Sequence, residues 1–368
     1  MELYQKIYVE PSFLESPHGE IACEECHKGD PKDSNWQTAH DNVVKDPTFL
    51  SAGQVCGDCH SEIVESATKS LHYTLKPMFD TVLARSDKKN PTVQKVLKKS
   101  MEKHCSTCHS SCGQCHVSRP DYVKGGFLAK HHFKKTPPMD TTCASCHGGR
   151  VYGEFTGANE DFPADLHYED EEMSCMDCHK AIEFHADGTN VKNRYALPER
   201  PDCSQCHEDI LSKNSKNKAH ASHGQKLACQ VCHAQAVKNC FSCHVGTDKK
   251  GLPYFKCDQT KTDFKIGLNP YKTLERPYEY TVLRHAPIVK DTFGFYAAHA
   301  LTDFDTVPTW KPDTPHNIQR ETKQNKTCNN CHNNPKLFLQ EKDLIENEKM
   351  ANENVIVPLN RIPKRIKE

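Results

Sequence analysis

The sequence predicts a protein that is mostly coil, with short α-helices and little β-structure. Mean hydropathy is −0.76 and only 36% of the 368 residues are hydrophobic, so a conventional hydrophobic core is thin. Glycine pairs at 125–126 and 148–149 and a proline pair at 137–138 break the chain at short intervals. Cysteine is unusually frequent, with 21 copies, and the spacing of these cysteines indicates what replaces the missing core.

Ten copies of the pattern Cys-x-x-Cys-His use 20 of the 21 cysteines. This pattern is the covalent attachment signature of c-type haem, because two thiols at this spacing can bond both vinyl groups of one porphyrin while the adjacent imidazole ligates the iron. Zinc ribbons and disulfide frameworks also pair cysteines, but neither requires a histidine after every second cysteine. The predicted haem-attaching cysteines are Cys23, Cys26, Cys56, Cys59, Cys105, Cys108, Cys112, Cys115, Cys143, Cys146, Cys175, Cys178, Cys203, Cys206, Cys229, Cys232, Cys240, Cys243, Cys328 and Cys331. The predicted proximal iron ligands are His27, His60, His109, His116, His147, His179, His207, His233, His244 and His332.

Ten haem c groups would supply the buried surface that the composition lacks. With about 37 residues per porphyrin, the macrocycles are expected to provide much of the core, and the fold is expected to follow a chain of stacked haems. The formal net charge of −1 omits two propionates per haem, so the holoprotein is expected to be acidic. Many of the 48 lysines and arginines are expected to pair with propionates, and no nucleic-acid partner is predicted.

Each iron needs a sixth ligand if it is to carry electrons rather than bind a substrate. Thirteen of the 23 histidines lie outside the motifs, so every haem can have two axial histidines. His131 and His132 are adjacent and would rarely both face irons, and His299 lies in an ordinary helical pattern, so His132 and His299 are set aside. The predicted distal ligands are His18, His40, His72, His104, His131, His167, His185, His220, His223, His285 and His316.

Motif density divides the chain into four predicted regions. Residues 1–100 form an N-terminal region with haems 1 and 2, and residues 101–250 form a haem-dense region with haems 3 to 9. Residues 251–327 hold no motif. They are expected to contain β-structure and to supply distal ligands. Residues 328–368 carry haem 10 and a C-terminal docking tail.

Local patterns predict several elements within these regions. Helices are expected over about 56–75 and over Pro91–His104, where apolar residues recur on one face. Alternation at 278–283 predicts a strand or hairpin. The tail is expected to begin with a helix near Pro335 and to end in an extended segment at 355–359, which either packs as a surface strand or pairs with a neighbouring subunit.

Two pairs of motifs lie close together in the chain. His109 and His116 are seven residues apart, which is two turns of a continuous helix, so haems 3 and 4 are expected to be stacked neighbours. His233 and His244 are eleven residues apart, which would bring haems 8 and 9 near each other in a looser way.

Covalent haem attachment takes place outside the cytoplasmic membrane, which predicts a periplasmic, extracellular or cell-surface location. The chain opens without a basic and apolar leader, so a leader peptide is expected to have been removed. No apolar run approaches the ~18 residues of a membrane-spanning helix, so no membrane span is predicted.

The motifs resemble those of the multihaem c-type cytochromes of anaerobic bacteria and archaea, which respire metals or exchange electrons with partners. The resemblance covers most of residues 18–332. It implies a multihaem cytochrome c architecture and electron transfer through bis-histidine haems, with other redox proteins or copies of itself as partners. The histidines at 220 and 223, before Cys229, also resemble the paired distal histidines of tetrahaem cytochromes of sulfate reducers, which implies that His220 and His223 serve different haems.

The distribution of the motifs along the chain distinguishes between branches of this superfamily. Porin-plugging decahaem cytochromes look like two five-haem halves, whereas nine motifs here precede residue 245 and one follows a long motif-free step. The step, the tail and the surplus histidines are more similar to cytochromes that polymerise into extracellular filaments, in which one subunit can ligate a haem of the next. A filament is therefore one expectation, and a discrete soluble electron shuttle is another.

The alternative to an electron carrier is a multihaem enzyme. Multihaem enzymes that reduce nitrite or sulfite, or oxidise hydroxylamine, leave one iron open. No motif here replaces the proximal histidine with lysine, as in many nitrite reductases, and histidine is abundant, so a carrier rather than an enzyme is expected. Cys257, outside the motifs, is either a small partly buried residue or half of an intersubunit disulfide.

Overall fold

The structure, a computed structural model, describes residues 9–50, 55–106, 110–159, 162–197, 199–210, 215–286 and 288–367. The chain forms two compact units, each discontinuous in sequence. Unit 1 comprises residues 1–77, 106–148 and 174–200, and unit 2 comprises residues 78–105, 149–173 and 201–368.

Short helices and coil make up most of the described chain, as the sequence predicts. The α-helices are α1 (Cys23–His27), α2 (Trp36–Ala39), α3 (Pro47–Leu50), α4 (Gly57–Ala67), α5 (Leu71–Thr74), α6 (Lys76–Leu83), α7 (Pro91–His104), α8 (Cys112–His116), α9 (Ala144–His147), α10 (Gly153–Phe155), α11 (Leu166–Glu169), α12 (Cys175–Cys178), α13 (Ala181–His185), α14 (Lys218–His223), α15 (Cys229–His233) and α16 (Cys328–Cys331). Turns of 3-10 helix occur at Pro11–Glu15, Asp121–Val123, Arg194–Ala196, Cys203–Gln205, Glu208–Ile210, Phe304–Thr306, Pro335–Leu337, Glu341–Asp343, Glu346–Glu348, Met350–Val355 and Leu359–Arg361, and π-helical turns at Met139–Cys143 and Gly148–Tyr152. Within the described ranges, no helix is both long enough and apolar enough to cross a bilayer.

Helix α7 confirms the prediction for Pro91–His104. It begins at Asn90, whose side chain accepts a hydrogen bond from the Val93 N–H, and Pro91 occupies the first turn, where its missing N–H costs nothing. Leu97 and Met101 lie one turn apart and are fully buried. The helix is therefore held by a capped start and one apolar face.

The predicted helix over 56–75 is wrong in its continuity. The segment forms α4 and α5, which are separated at Thr68–Ser70 by a turn. The Ser70 side chain accepts a hydrogen bond from the Tyr73 N–H and starts α5 anew, and Leu75 ends it with a left-handed φ of 46°. A serine at this position favours a new helix start over an uninterrupted helix.

Unit 2 contains two small antiparallel sheets. Strands β1 (Val237–Thr247) and β2 (Pro253–Asp263) form a hairpin, and β3 (Lys265–Leu268), β4 (Tyr280–His285) and β5 (Trp310–Pro312) form a sheet in the order β3-β4-β5. Strand β4 confirms the predicted strand at 278–283, with its start displaced by two residues. The sequence does not predict the β1–β2 hairpin, because the ninth Cys-x-x-Cys-His motif occupies β1.

Buried apolar side chains are distributed unequally between the units. In unit 2, one cluster joins Leu97 and Met101 to Leu301, and a second packs Ile266 of β3 against Val282 of β4. A third cluster is centred on other residues of the same unit. Among the described residues of unit 1, Val64 is the only buried hydrophobic side chain. The described part of unit 1 therefore has no apolar core formed by its own side chains.

The C-terminal tail packs on its own unit. The helix predicted near Pro335 is a single 3-10 turn, Pro335–Leu337. Val357 is fully buried, its N–H donates to the Leu339 carbonyl, and the Gln340 side-chain amide donates to the Val357 carbonyl. Of the two alternatives for residues 355–359, the contacts in this chain are those of a segment packed internally.

Candidate haem-binding sites

Most of the described motifs lie on a single helical turn. In α1, α8 and α15 the helix begins at the first cysteine and ends at the proximal histidine. Motifs 2, 5, 6, 7 and 10, counted along the chain, also lie on helical turns. Because residues i and i+3 share a helix face, both thiols are presented to one side, as two thioether bonds to one porphyrin require. The third motif begins at Cys105, and its residues 107–109 lie outside the described residues.

Seven proximal histidines each face one histidine from outside the motifs. The ring centres are 6.0–6.3 Å apart in every pair. The pairs are His27 with His131, His60 with His18, His116 with His185, His147 with His72, His207 with His167, His233 with His220, and His332 with His223. All seven partners belong to the predicted distal set, and each pair lies within one unit.

This separation fits an iron atom between the two rings. Two metal–nitrogen bonds of about 2 Å, plus roughly 1 Å from each ligating nitrogen to its ring centre, give about 6 Å between ring centres. A direct hydrogen bond between two imidazoles would give about 5 Å instead. In the described ranges, no group of three or more His, Cys, Asp or Glu side chains is arranged to hold a metal. A haem iron needs only two protein ligands, because the porphyrin supplies four nitrogens.

Hydrogen bonds at Nδ1 orient many of the paired rings. The acceptors are the carbonyl oxygens of Val44 for His27, Lys134 for His116, Ala219 for His223, Gln319 for His233 and Lys364 for His332, at 2.7–3.0 Å. A proton fixed on Nδ1 leaves the Nε2 lone pair for a metal, which is the usual outer-sphere arrangement of ligating histidines.

Two carboxylates serve the same purpose. The Nδ1 atom of His167 lies 2.8 Å from Asp165 Oδ1, and the Nδ1 atom of His179 lies 3.0 Å from Glu183 Oε2. The hydrogen bond to Asp165 raises the pKa of His167. Sequence analysis misses both carboxylates, although spacing offers a signal, since Glu183 follows His179 by one helical turn.

Burial favours the neutral form of five distal rings. It lowers the pKa of His72 to about 4, and charge repulsion from His147 and His179 adds to the effect. The pKa values of His18, His131, His185 and His220 are lowered for the same two reasons, burial first and the facing proximal histidine second. Neutral imidazole is the form that ligates a metal.

Two predicted distal ligands have their ring nitrogens engaged elsewhere. His285 is buried, with Nδ1 2.8 Å from the Cys240 carbonyl and Nε2 2.6 Å from Glu348. The Nε2 atom of His104 lies 2.5 Å from the Tyr296 hydroxyl. With both of its nitrogens hydrogen-bonded, His285 has no lone pair left for iron in this arrangement.

The two remaining predicted distal ligands have different surroundings. The backbone N–H of His316 donates to Glu154, which forms a buried ion pair with Arg284. His40 is exposed and follows α2, and its Nδ1 lies 2.6 Å from the Trp36 carbonyl one turn earlier. No described residue bonds to His40 Nε2. Like His223, His40 has its Nδ1 bonded to the carbonyl four residues earlier. Unlike His223, it faces no histidine among the described residues.

The ninth motif has a different backbone conformation from the others. Cys240 and Cys243 lie in β1, where residues three apart would normally point to opposite faces. Ser242 has a left-handed φ of 52°, which interrupts the alternation, and both thiols hydrogen-bond to Cys257 across the hairpin. The Sγ atoms of Cys243 and Cys257 are 3.4 Å apart. Cys257 therefore lies against the ninth motif of its own chain.

The proximal histidine of this motif is next to acids. His244 Nε2 lies 3.5 Å from Asp258, and its Nδ1 lies 3.9 Å from Asp291. None of the histidines that the structure describes makes a ring contact with His244.

Comparisons with protein families, with curated proteins and with solved structures yield no match.

Proposed function

We propose that this protein is a decahaem c-type cytochrome that transfers electrons through bis-histidine haems. The observation that carries the proposal is the set of seven histidine pairs, each joining a motif histidine to a histidine from elsewhere at 6.0–6.3 Å. Four pairs lie in unit 1, where Val64 is the only buried hydrophobic side chain among the described residues. Packing in an apolar core does not account for them, whereas ligation of haem iron does.

The residues of each site have separate roles in this proposal. Bound haem supplies one-electron exchange between ferric and ferrous iron. The two thiols of a motif hold the porphyrin, and two imidazoles saturate the iron and exclude substrates from it. Hydrogen bonds at Nδ1 fix ring orientation and ligand strength. Saturated irons support an electron carrier rather than an enzyme, and covalent attachment supports a periplasmic or extracellular location.

A polymerised form, an extracellular cytochrome filament, is supported by one further observation. His40 is exposed and oriented like a ligand, and His244 has no facing histidine among the described residues. His40 of one copy, placed opposite His244 of another, would complete a bis-histidine site. The adjacent Trp36 is 72% exposed and would be covered by such a contact.

Two alternatives to the filament also account for the exposed His40 and for the lack of a described histidine facing His244. In a reductase of the nitrite or sulfite type, the ninth site would keep its iron open for substrate. In a discrete soluble shuttle, a ligand from within the chain would complete the ninth site, and His40 would stay in solvent.

Purified holoprotein tests the electron-carrier proposal. Intact mass and the pyridine haemochrome assay should give ten covalent haems, and electron paramagnetic resonance should show low-spin ferric signals. A haem count below the seven paired sites would overturn the proposal. Cyanide that binds one haem of a discrete particle would favour the reductase.

Electron microscopy with two matched variants separates the remaining forms. If the filament form is correct, His40→Ala should abolish filaments and create one high-spin, cyanide-binding haem. His299→Ala removes another exposed histidine and should change neither property. Discrete wild-type particles with ten low-spin haems would exclude the filament and favour the shuttle.

A further inference from the structure

We infer that the haem-attachment sites are ordered in space as 1, 2, 4, 5 and 6 within unit 1 and as 7, 8 and 10 within unit 2. The numbers count the motifs along the chain, and the inference rests on the proposed function. It makes sites 2 and 4, and sites 8 and 10, neighbours, although a motif separates each pair in sequence. Chain spacing instead favours sites 3 and 4 and sites 8 and 9 as the close pairs.

Sites 2 and 4 are joined through their first cysteines. The thiols of Cys56 and Cys112 lie close enough to perturb each other, which raises the pKa of Cys56 and lowers that of Cys112 to about 7. The segment before motif 2 also contacts motif 4, because Thr48, eight residues before Cys56, has its Oγ1 2.7 Å from Ser111 Oγ and accepts a hydrogen bond from the Gly113 N–H. A thioether sulfur lies at the porphyrin edge, so two sulfurs in contact bring the edges of two porphyrins together.

Sites 1 and 2 share one short segment. His131 faces the proximal His27 of site 1, and Phe133 stacks on His18 of site 2 with ring centres 3.9 Å apart. His18 in turn faces His60. His131 and Phe133, two residues apart in one coil segment, therefore contact the ligands of both sites.

Helix α13 connects sites 4, 5 and 6. His185 faces the proximal histidine of site 4, and Glu183 bonds to His179 of site 6. Between them, the Phe184 ring lies 5.1 Å from His72, the distal ligand of site 5, and 6.3 Å from His179.

The cysteines give the same order for these three sites. The turn Met139–Cys143, which ends at the first cysteine of motif 5, packs against α12, which begins at Cys175 of motif 6. The thiols of Cys143 and Cys175 lie close enough to perturb each other's pKa, and Cys115 of motif 4 is also near Cys143. Thiol contacts and ligand contacts thus agree on the sequence 4, 5, 6.

In unit 2, residues 318 and 319 join sites 7 and 8. The Ile318 N–H donates to Asp165, which also bonds to His167 of site 7, and the Gln319 carbonyl lies 3.0 Å from Nδ1 of His233 of site 8. Helix α14 then carries His220, which faces site 8, and His223, which faces site 10. Across the same junction, Cys331 of motif 10 packs against the apolar cluster that contains Val231 of motif 8.

The structure of the holoprotein by cryo-electron microscopy tests this order directly. Iron 4 should be a nearest neighbour of iron 2, and iron 10 a nearest neighbour of iron 8. Ten haems arranged in a different order would overturn the inference and leave the proposed function intact. Absence of covalent haem would overturn both.

Nuclear magnetic resonance redox titration of two variants provides an independent test. Replacement of a distal histidine by methionine raises the reduction potential of one haem, and the altered charge at that haem shifts its nearest neighbours most. His185→Met should therefore shift sites 2 and 5 more than site 1. His223→Met, the matched change in unit 2, should shift site 8 more than site 7. Equal shifts at near and remote sites would contradict the order.

Discussion

At the scale of the residue, the two nitrogens of one imidazole have different roles. In His223, Nδ1 bonds to the Ala219 carbonyl one turn earlier, while the ring faces His332 at 6.0 Å. The backbone bond fixes the tautomer and the rotamer, so Nε2 is the nitrogen left for the iron. The same pattern at His40, on the surface, is the reason that this residue enters the proposal for a filament.

The first prediction concerns this distal ligand. His223→Ala should leave haem 10 with one axial ligand and convert about one haem in ten from low spin to high spin, because a single imidazole is a weaker field than two. The measurement is electron paramagnetic resonance with cyanide titration. His299→Ala should leave the spectrum unchanged. A fully low-spin His223→Ala protein would show that His223 is not a ligand.

The second prediction concerns Cys257, which lies opposite Cys243 within one hairpin. Because its nearest sulfur belongs to its own chain, wild-type protein and Cys257→Ser should run identically on a non-reducing gel, both as monomers. A dimer band in the wild type that Cys257→Ser removes would support the intersubunit disulfide instead. Haem content, read from intact mass, should be the same in both.

At the scale of the element, single buried polar groups hold short segments in place. Arg85, just after α6, is fully buried and donates to the carbonyls of Thr81, Val307 and Pro308. Burial lowers its pKa to about 10, which leaves it charged at neutral pH. One guanidinium thus joins the end of a helix to a distant loop of the same unit.

The third prediction tests this connection. Arg85→Met keeps the length of the side chain but leaves three carbonyls without their donor, so the free energy of unfolding of unit 2 should fall by about 3 kcal/mol. Lys88→Met, at an exposed position nearby, should change it by less than about 0.5 kcal/mol. Guanidinium unfolding followed by circular dichroism measures both. Equal stability of the two variants would contradict this role.

At the scale of the whole molecule, the two units differ in the interactions that stabilise each of them internally. Unit 2 has three apolar clusters and two sheets, whereas Val64 is the only buried hydrophobic side chain described in unit 1. Ordering a chain costs about 1–2 kcal/mol per residue, which such a core cannot offset. In the proposed holoprotein, the porphyrins provide the missing apolar surface.

The fourth prediction follows from this difference. Protein made without haem attachment should lose unit 1 first, with rapid amide exchange at 23–27, 112–116 and 181–185. The sheet of β3, β4 and β5 should retain more protection, because Ile266, Val282 and Leu283 are buried among protein side chains. Hydrogen exchange with mass spectrometry reads both regions. Equal protection in the two units would show that unit 1 does not depend on haem.

The sequence predicts the motifs, the helix Pro91–His104 and the strand near β4, because each depends on residues close together in the chain. It does not predict the break at Ser70, where a cap competes with continuation of the helix. Nor does it predict the hairpin of β1 and β2, because the ninth Cys-x-x-Cys-His motif lies within β1 and its residues do not alternate as in a typical strand.

What the sequence determined by itself is the set of ten Cys-x-x-Cys-His motifs and enough further histidines for two ligands at each proposed haem iron. Which distal histidine faces which motif depended on tertiary structure, as the pair His72 and His147 shows. The same holds for the contact between Cys56 and Cys112 and for the unequal cores of the two units. The physical reason is one of distance along the chain. A Cys-x-x-Cys-His motif depends on a spacing of a few residues, whereas a histidine pair joins residues far apart in the chain, and only the packed fold brings them together.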